Sequence, residues 1–147
     1  MSKPKITVKN SGVVTLNFFK DFPDGDLFIA EARKNIPHDI KRIYFINNLA
    51  NKKAVRGKHA HKKLTQVIFC INGSFHLGLD DGSKKQTVVL DDPGYGVILG
   101  PKLWHTMTGF SDDCVLLILA GDYYRKDDYL RNYDEFMRYV HKDRRHD

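Results

Sequence analysis

Cysteine is scarce in this chain: Cys70 and Cys114 are the only two in 147 residues. A disulfide framework is therefore not the expected source of stability. Each cysteine lies in or opens an apolar run, which points to buried, reduced thiols packing as small hydrophobes. No apolar run is long enough to span a bilayer and no secretory pattern leads the chain. No membrane partner is expected, and the expected compartment is the cytoplasm. Repeats, low-complexity stretches and linkers are missing too. So are a helix-turn-helix, a zinc finger and an RNA-binding aromatic signature. The excess of 24 Lys and Arg over 18 Asp and Glu, a net charge of +6, thus does not imply nucleic acid. It suits a phosphorylated small molecule. Lys52-Lys53, Lys62-Lys63 and Lys84-Lys85 read as solvated faces.

What is present is enough for a real core. At 147 residues and 41% hydrophobic composition, one domain over 1–147 is expected, without staples. Short alternating runs over 6–8, 13–18, 27–32 and 42–47 read as strands. A β-rich stretch follows at 65–71, with the pattern of a central buried strand. Further strands are expected around 75–79, 86–90, 96–99, 103–110 and 115–120. Asn72-Gly73 suits a type I′ hairpin turn, and Pro93-Gly94 a type II turn. Many short strands with a turn every eight to twelve residues imply an all-β sandwich or barrel. Only the tail differs. Asn132 and Glu135 have capping-box spacing, and Tyr133, Phe136, Met137 and Val140 recur at helical spacing, so a short C-terminal helix is expected over 133–141. Residues 141–147 are polar and are expected to fray.

The stretch most charged with chemistry is Arg56-Gly57-Lys58-His59-Ala60-His61. On an extended backbone His59 and His61 share a face. Two adjacent imidazoles can hold a metal ion or move protons near neutral pH. Gly57, His59, His61, Gln66 and Gly73, then Gly96, Pro101 and His105, resemble the two motifs of the cupin superfamily. That resemblance implies a jelly-roll double-sheet barrel with the C-terminal helix appended. In metal-binding cupins the two paired histidines, an acidic residue and the last histidine are ligands. Here Gln66 stands where the acid would be, and an amide brings no negative charge to a cation. Three imidazoles with an open position nonetheless remain conceivable as a site.

A closer resemblance tilts the choice. The string from Arg56 to Lys63, with Arg42-Ile43-Tyr44, Asp80-Asp81-Gly82, Asp113-Cys114-Val115-Leu116 and the tail Asp127 to Phe136, resembles the sugar-nucleotide 3,4-ketoisomerases. It runs from about residue 12 to 139. It implies an isomerase acting on dTDP-4-keto-6-deoxyglucose, on routes to dTDP-linked 3-amino or 3-acetamido dideoxyhexoses of lipopolysaccharide, O-antigen or S-layer glycans. It further implies no cofactor, no metal, and a homodimer, often with an exchanged N-terminal strand. A ketone acidifies the neighbouring proton, and a neutral imidazole suits its removal. His61 is expected as the main base, His59 as its assistant, and Tyr44 as an orienting or donating group. Arg56 is the first candidate for the diphosphate, with Arg42 and Lys102 as further cations, and Gln66 and His105 as substrate-lining residues. His76 reads as structural or surface. Trp104 should point away from the site, and Tyr123, Tyr124 and Tyr129 read as packing the tail helix on the barrel, with a substrate role as the alternative that no motif supports. Two alternatives stay open: a related cupin epimerase, although the His–Asp pair of such enzymes is not found here, and a non-catalytic sugar-nucleotide-binding module.

Overall fold

The computed structural model describes residues 3–142. Two five-stranded antiparallel sheets face each other, as strands that bury one alternating set of side chains must. The strands are β1 (Ser11–Thr15), β2 (Asn17–Lys20), β3 (Asp26–Ile29), β4 (Arg42–Ile46), β5 (Arg56–His61) and β6 (Gln66–Asn72). They continue as β7 (Phe75–Asp80), β8 (Lys85–Leu90), β9 (Tyr95–Leu99), β10 (Trp104–Thr108), β11 (Val115–Ala120) and β12 (Tyr129–Leu130), before helix α1 (Tyr133–Lys142). One sheet runs β1-β9-β6-β11-β4 and the other β12-β5-β10-β7-β8, while β2 and β3 form a separate hairpin. This is the all-β two-sheet arrangement anticipated from the strand pattern, and the double-sheet barrel that the cupin resemblance implied.

Alternation decides which side chains meet. Ile68 and Cys70 of β6 join Ile118 of β11 and Leu77 and Leu79 of β7 in the core between the sheets. Val67 and Phe69 point the other way and pack with Val14 and Ile36 on the outer face. The second sheet is covered by α1, whose Phe136 and Val140 pack on Ala60 and Leu130. Asn132 caps that helix, its side-chain oxygen accepting the Glu135 backbone N–H at 3.0 Å. Trp104 lies under the same helix, 5.3 Å from the Tyr133 ring centroid. Cys70 and Cys114 are buried free thiols. No helix among the described residues is long and apolar enough to cross a membrane.

Several local expectations need correction. Residues 6–8 form no strand, although Val8 is buried in the core; the Thr7 N–H is taken by the Gln86 side chain instead of a ladder. The run 13–18 is broken at Leu16, because β1 pairs with β9 whereas β2 leaves the sheet to pair with β3. Gly73 has the positive φ expected, at 74°, but Asn72 remains in β6, so the turn is not type I′. Gly94 lacks the positive φ of a type II turn; Asp92 shapes that turn, its carboxylate accepting the Gly94 N–H at 2.8 Å. Helix α1 runs one residue beyond its expected end, and residues 143–147 of the expected frayed tail lie outside the described residues.

Candidate active site

Ala60 is wholly buried under α1, so period-two alternation turns His59 and His61 to the opposite face, between the sheets. Two neighbouring strands supply the rest. His105 of β10 pairs directly with His59, and Tyr129 of β12 pairs directly with His61. Directly paired residues share a face and stand close together, so four rings from three strands converge. Ring centroids are 4.7 Å apart for His59 and His105, 5.0 Å for His59 and His61, and 4.5 Å for His61 and Tyr129. Tyr129 also lies 4.9 Å from His59, and the Arg131 guanidinium sits 4.1 Å from the Tyr129 ring. Tyr129 was expected to pack the tail helix; it belongs to this cluster instead. Only the pairing of a two-residue strand places it there, and no periodicity in the sequence announces so short a strand.

Burial sets the charge of the cluster. His59 is pushed down to about 3, chiefly by desolvation and then by the nearby His61 and Arg131. His105 lies well below the usual histidine range for the same first reason, and neither of its ring nitrogens has a hydrogen-bond partner. His61 is lowered as well, although its Nδ1 lies 3.1 Å from Asp128 Oδ2. The carboxylate favours the imidazolium, but desolvation outweighs it. The contact is thus a hydrogen bond from a neutral ring rather than an ion pair at neutral pH. It is also a His–Asp pair that the linear sequence concealed, its partners lying 67 positions apart.

The other sheet contributes Tyr44, whose hydroxyl donates to Gln66 Oε1 at 2.8 Å. Burial pushes the Tyr44 phenol up to about 12, so it stays protonated. Arg42 stacks its guanidinium 5.1 Å from the Tyr44 ring. A cleft of about 710 Å³ opens beside these groups, lined among others by His61, Asp128, Tyr129, Arg42, Lys62 and Arg125. That volume suits a ligand of nucleotide-sugar size. Arg42 Nε and His38 Nε2, also of this lining, are buried nitrogens without a protein partner.

The remaining expected site residues are placed differently. Arg56 is exposed at the start of β5, opposite Met107, where the β5–β10 register shifts. Gly57 makes that shift feasible with a φ of 83°, and a Cβ there would come within 3.4 Å of His105 Nδ1. Lys102 follows the cluster, its N–H donating to the His61 carbonyl, while its ammonium lies 5.9 Å from the ring centroid of Tyr139 on α1. Neither Arg56 nor Lys102 lines the cleft described above. His76 is exposed and Trp104 points away from the cluster, as expected. Tyr124 lies 5.7 Å from Tyr129 with its ring tilted by 51°, and the Lys41 ammonium lies over the Tyr123 ring.

His59, His61 and His105 offer ring nitrogens within 4.8 Å of one another, a spacing that could hold a metal ion. No carboxylate joins that group among the described residues. Gln66, in the acid's place, has its acceptor oxygen engaged by Tyr44. A set of buried, neutral imidazoles beside an uncharged phenol can take up and return protons.

The family model described as FdtA, WxcM-like, C-terminal matches residues 9–141. A TDP-4-oxo-6-deoxy-alpha-D-glucose-3,4-oxoisomerase from Aneurinibacillus thermoaerophilus is 49% identical over 118 residues, covering 80% of this chain and 84% of that one. The 3,4-ketoisomerase QdtA from Thermoanaerobacterium thermosaccharolyticum, solved in complex with TDP, is 38% identical with a TM-score of 0.88, over 93% of this chain and 98% of that one. A mutant of QdtA has been solved with TDP-4-keto-6-deoxyglucose. The rmlC epimerase of Mycobacterium tuberculosis is 17% identical over 88% of this chain and 72% of that one, with a TM-score of 0.69, which is a likeness of fold.

Proposed function

We propose that this chain, which belongs to the WxcM-like, C-terminal family of sugar 3,4-ketoisomerases, moves the ketone of TDP-4-keto-6-deoxyglucose from carbon 4 to carbon 3 by imidazole-mediated proton transfer. The observation that carries this reading is the convergence of His59, His61 and His105 with Tyr129, all three imidazoles held neutral by burial. A neutral ring can accept a proton at once, whereas an imidazolium cannot.

His61 removes the proton on carbon 3, and the electrons of that C–H bond form the carbon 3–carbon 4 double bond of an enediolate. The carbon 4 oxygen takes the negative charge. A proton then returns to carbon 4 while the proton of the carbon 3 hydroxyl passes to the carbon 4 oxygen, leaving a ketone at carbon 3 and a hydroxyl at carbon 4. His59, beside both His61 and His105, assists in that return and polarises the oxygens. Tyr44 gives its proton to Gln66, so the lone pairs of its oxygen are what it offers to a sugar hydroxyl; its role is to orient. His105 lines the sugar pocket. No redox cofactor and no metal is needed for these steps.

Arg42 is the leading partner for the diphosphate, because its guanidinium lines the cleft with an unpartnered buried Nε. Arg56 and Lys102 act from outside that lining as secondary cations. The product feeds the assembly of 3-amino or 3-acetamido dideoxy sugars for surface glycans, in the cytoplasm. The enzyme works as a homodimer. Phe18, Phe19, Phe22 and Leu27 of the β2–β3 hairpin are exposed, as are Ile43 and Phe45 on the edge strand β4. Exposed apolar edges of this kind find a second copy.

His61→Asn and His59→Asn test the chemistry, since asparagine keeps a polar side chain and removes the basicity. His61→Asn should lower kcat by about 100-fold or more, and His59→Asn by a smaller factor, given that general-base catalysis contributes about 10²–10⁴. Wild-type turnover in both variants would end the proposal.

A further inference from the structure

Asp128 is bound to the strand end that carries His61 more tightly than packing alone requires. Three consecutive backbone N–H groups after His61 donate to this one residue. Lys62 N–H donates to the Asp128 carbonyl at 2.9 Å, Lys63 N–H to Oδ1 at 2.8 Å, and Leu64 N–H to Oδ2 at 3.3 Å. The carboxylate is thereby fixed in place and its orientation set. Oδ2 is left facing His61 Nδ1 at 3.1 Å, with the Asp128 side chain 11% exposed and that of His61 3% exposed.

We propose that Asp128 is the positioning residue for His61: it holds the ring as the Nδ1–H tautomer and leaves Nε2 bare as the nitrogen that takes the substrate proton. An ionised carboxylate only accepts hydrogen bonds, so Nδ1 must be the donor. Nε2 is then the sole ring nitrogen with a lone pair. Without this restraint a neutral imidazole exchanges between tautomers, and one of them has no base to offer on the Nε2 side. The arrangement also explains why the 3-10 turn Lys126–Asp128 and the two-residue strand β12 are docked on β5. They bring Asp128 to His61 Nδ1 and place the Tyr129 ring 4.5 Å from that of His61. Asp128 does not touch the reacting carbons in this account; it acts through His61.

The backbone clamp makes Asp128→Asn an informative variant. The 2.8 Å contact from Lys63 N–H selects the amide oxygen for the Oδ1 position. The amide NH₂ then falls at Oδ2, against the weaker 3.3 Å contact from Leu64, and donates to His61 Nδ1. The ring is driven to the Nε2–H tautomer and its base is lost on the substrate side. In the serine-protease triad the equivalent change costs about 10⁴ in kcat through the wrong tautomer.

This inference rests on His61 being the base, and the test separates the two. Imidazole ¹⁵N NMR of the free, folded enzyme reports the tautomer of His61 without any substrate. The wild type should show a protonated Nδ1 and a bare Nε2, and Asp128→Asn should exchange them. In turnover assays Asp128→Asn should lose about 100-fold or more in kcat with KM changed little, and Asp128→Glu should recover part of it. A wild-type His61 bearing its proton on Nε2 overturns the proposal even if Asp128→Asn does not fold. An unchanged tautomer in a folded Asp128→Asn, or an unchanged kcat there while His61→Asn is impaired, also overturns it. If His61→Asn keeps full turnover while Asp128→Asn still exchanges the tautomer, the assignment of the base fails and the positioning of the ring stands.

Discussion

His59 and His61 owe their chemistry to what surrounds them rather than to their own pKa values. Both rings, and His105 with them, are held in the neutral form chiefly by burial. In the unfolded chain a histidine titrates near 6.5. Between that value and the lower folded ones the unfolded state therefore binds more protons. Stability rises with pH wherever this is so. It is fully present above about 6.5 and is lost as pH falls from there toward the folded values, which for His59 is about 3. Thermal melts should show Tm falling from pH 7 to pH 5 in the wild type, with a shallower fall in His59→Asn; a flat wild-type profile would contradict the neutral cluster. The free enzyme should for the same reason keep its base active below the ordinary histidine range, so the acid limb of kcat/KM should lie below that of an unperturbed histidine. At this scale the sequence was legible where chemistry and spacing coincide. The His59-x-His61 pair and its shared face follow from strand geometry, and Gln66 announced that a carboxylate was missing. Tyr129 and Asp128 were not legible as site residues, because their partners lie in β5 and in the turn after it, far away in the chain.

Among the elements, α1 has a part in the site that its surface position hides. Phe136 is fully buried and packs with Leu130 and Ala60, which are the outward neighbours of Tyr129 and of both His59 and His61. A Phe136→Ala variant should lose about 3–5 kcal/mol of stability, as large-to-small core changes do. It should also lower kcat beyond that of a control such as Leu77→Ala, which is in the core between the sheets. Denaturant melts paired with turnover at a temperature where both variants are folded would check this; equal kcat in the two would show that α1 only covers the sheet. Strand existence was well marked in the sequence by alternation and turn residues, because one face of each strand must be apolar. The failures came where backbone partners decided. Leu16 continues an apolar alternation, yet β1 and β2 go to different sheets. Asn72-Gly73 has the composition of a type I′ turn, but Asn72 side-chain Nδ2 donates to the Asp113 carbonyl at 2.7 Å and the residue stays in the strand.

The whole molecule is a two-sheet barrel with its histidines between the sheets and a cleft of about 710 Å³ at the His61 side. Its exposed β2–β3 hairpin and β4 edge are the surface that a second copy should cover. Phe45→Glu should shift the enzyme from dimer toward monomer in analytical ultracentrifugation, and a wild type that sediments as a monomer at micromolar concentration would contradict the dimer. The central claim concerns the reaction, and proton exchange with solvent reports it directly. TDP-4-keto-6-deoxyglucose is incubated with the enzyme in deuterated water and the sugar protons are followed by NMR, with and without chelator. Deuterium should enter at carbon 4 as a ketone appears at carbon 3, with the rate unchanged by chelator. Deuterium at carbon 5 would indicate an epimerase, no incorporation a binding module, and a rate abolished by chelator a metal centre; each of these results would contradict the account.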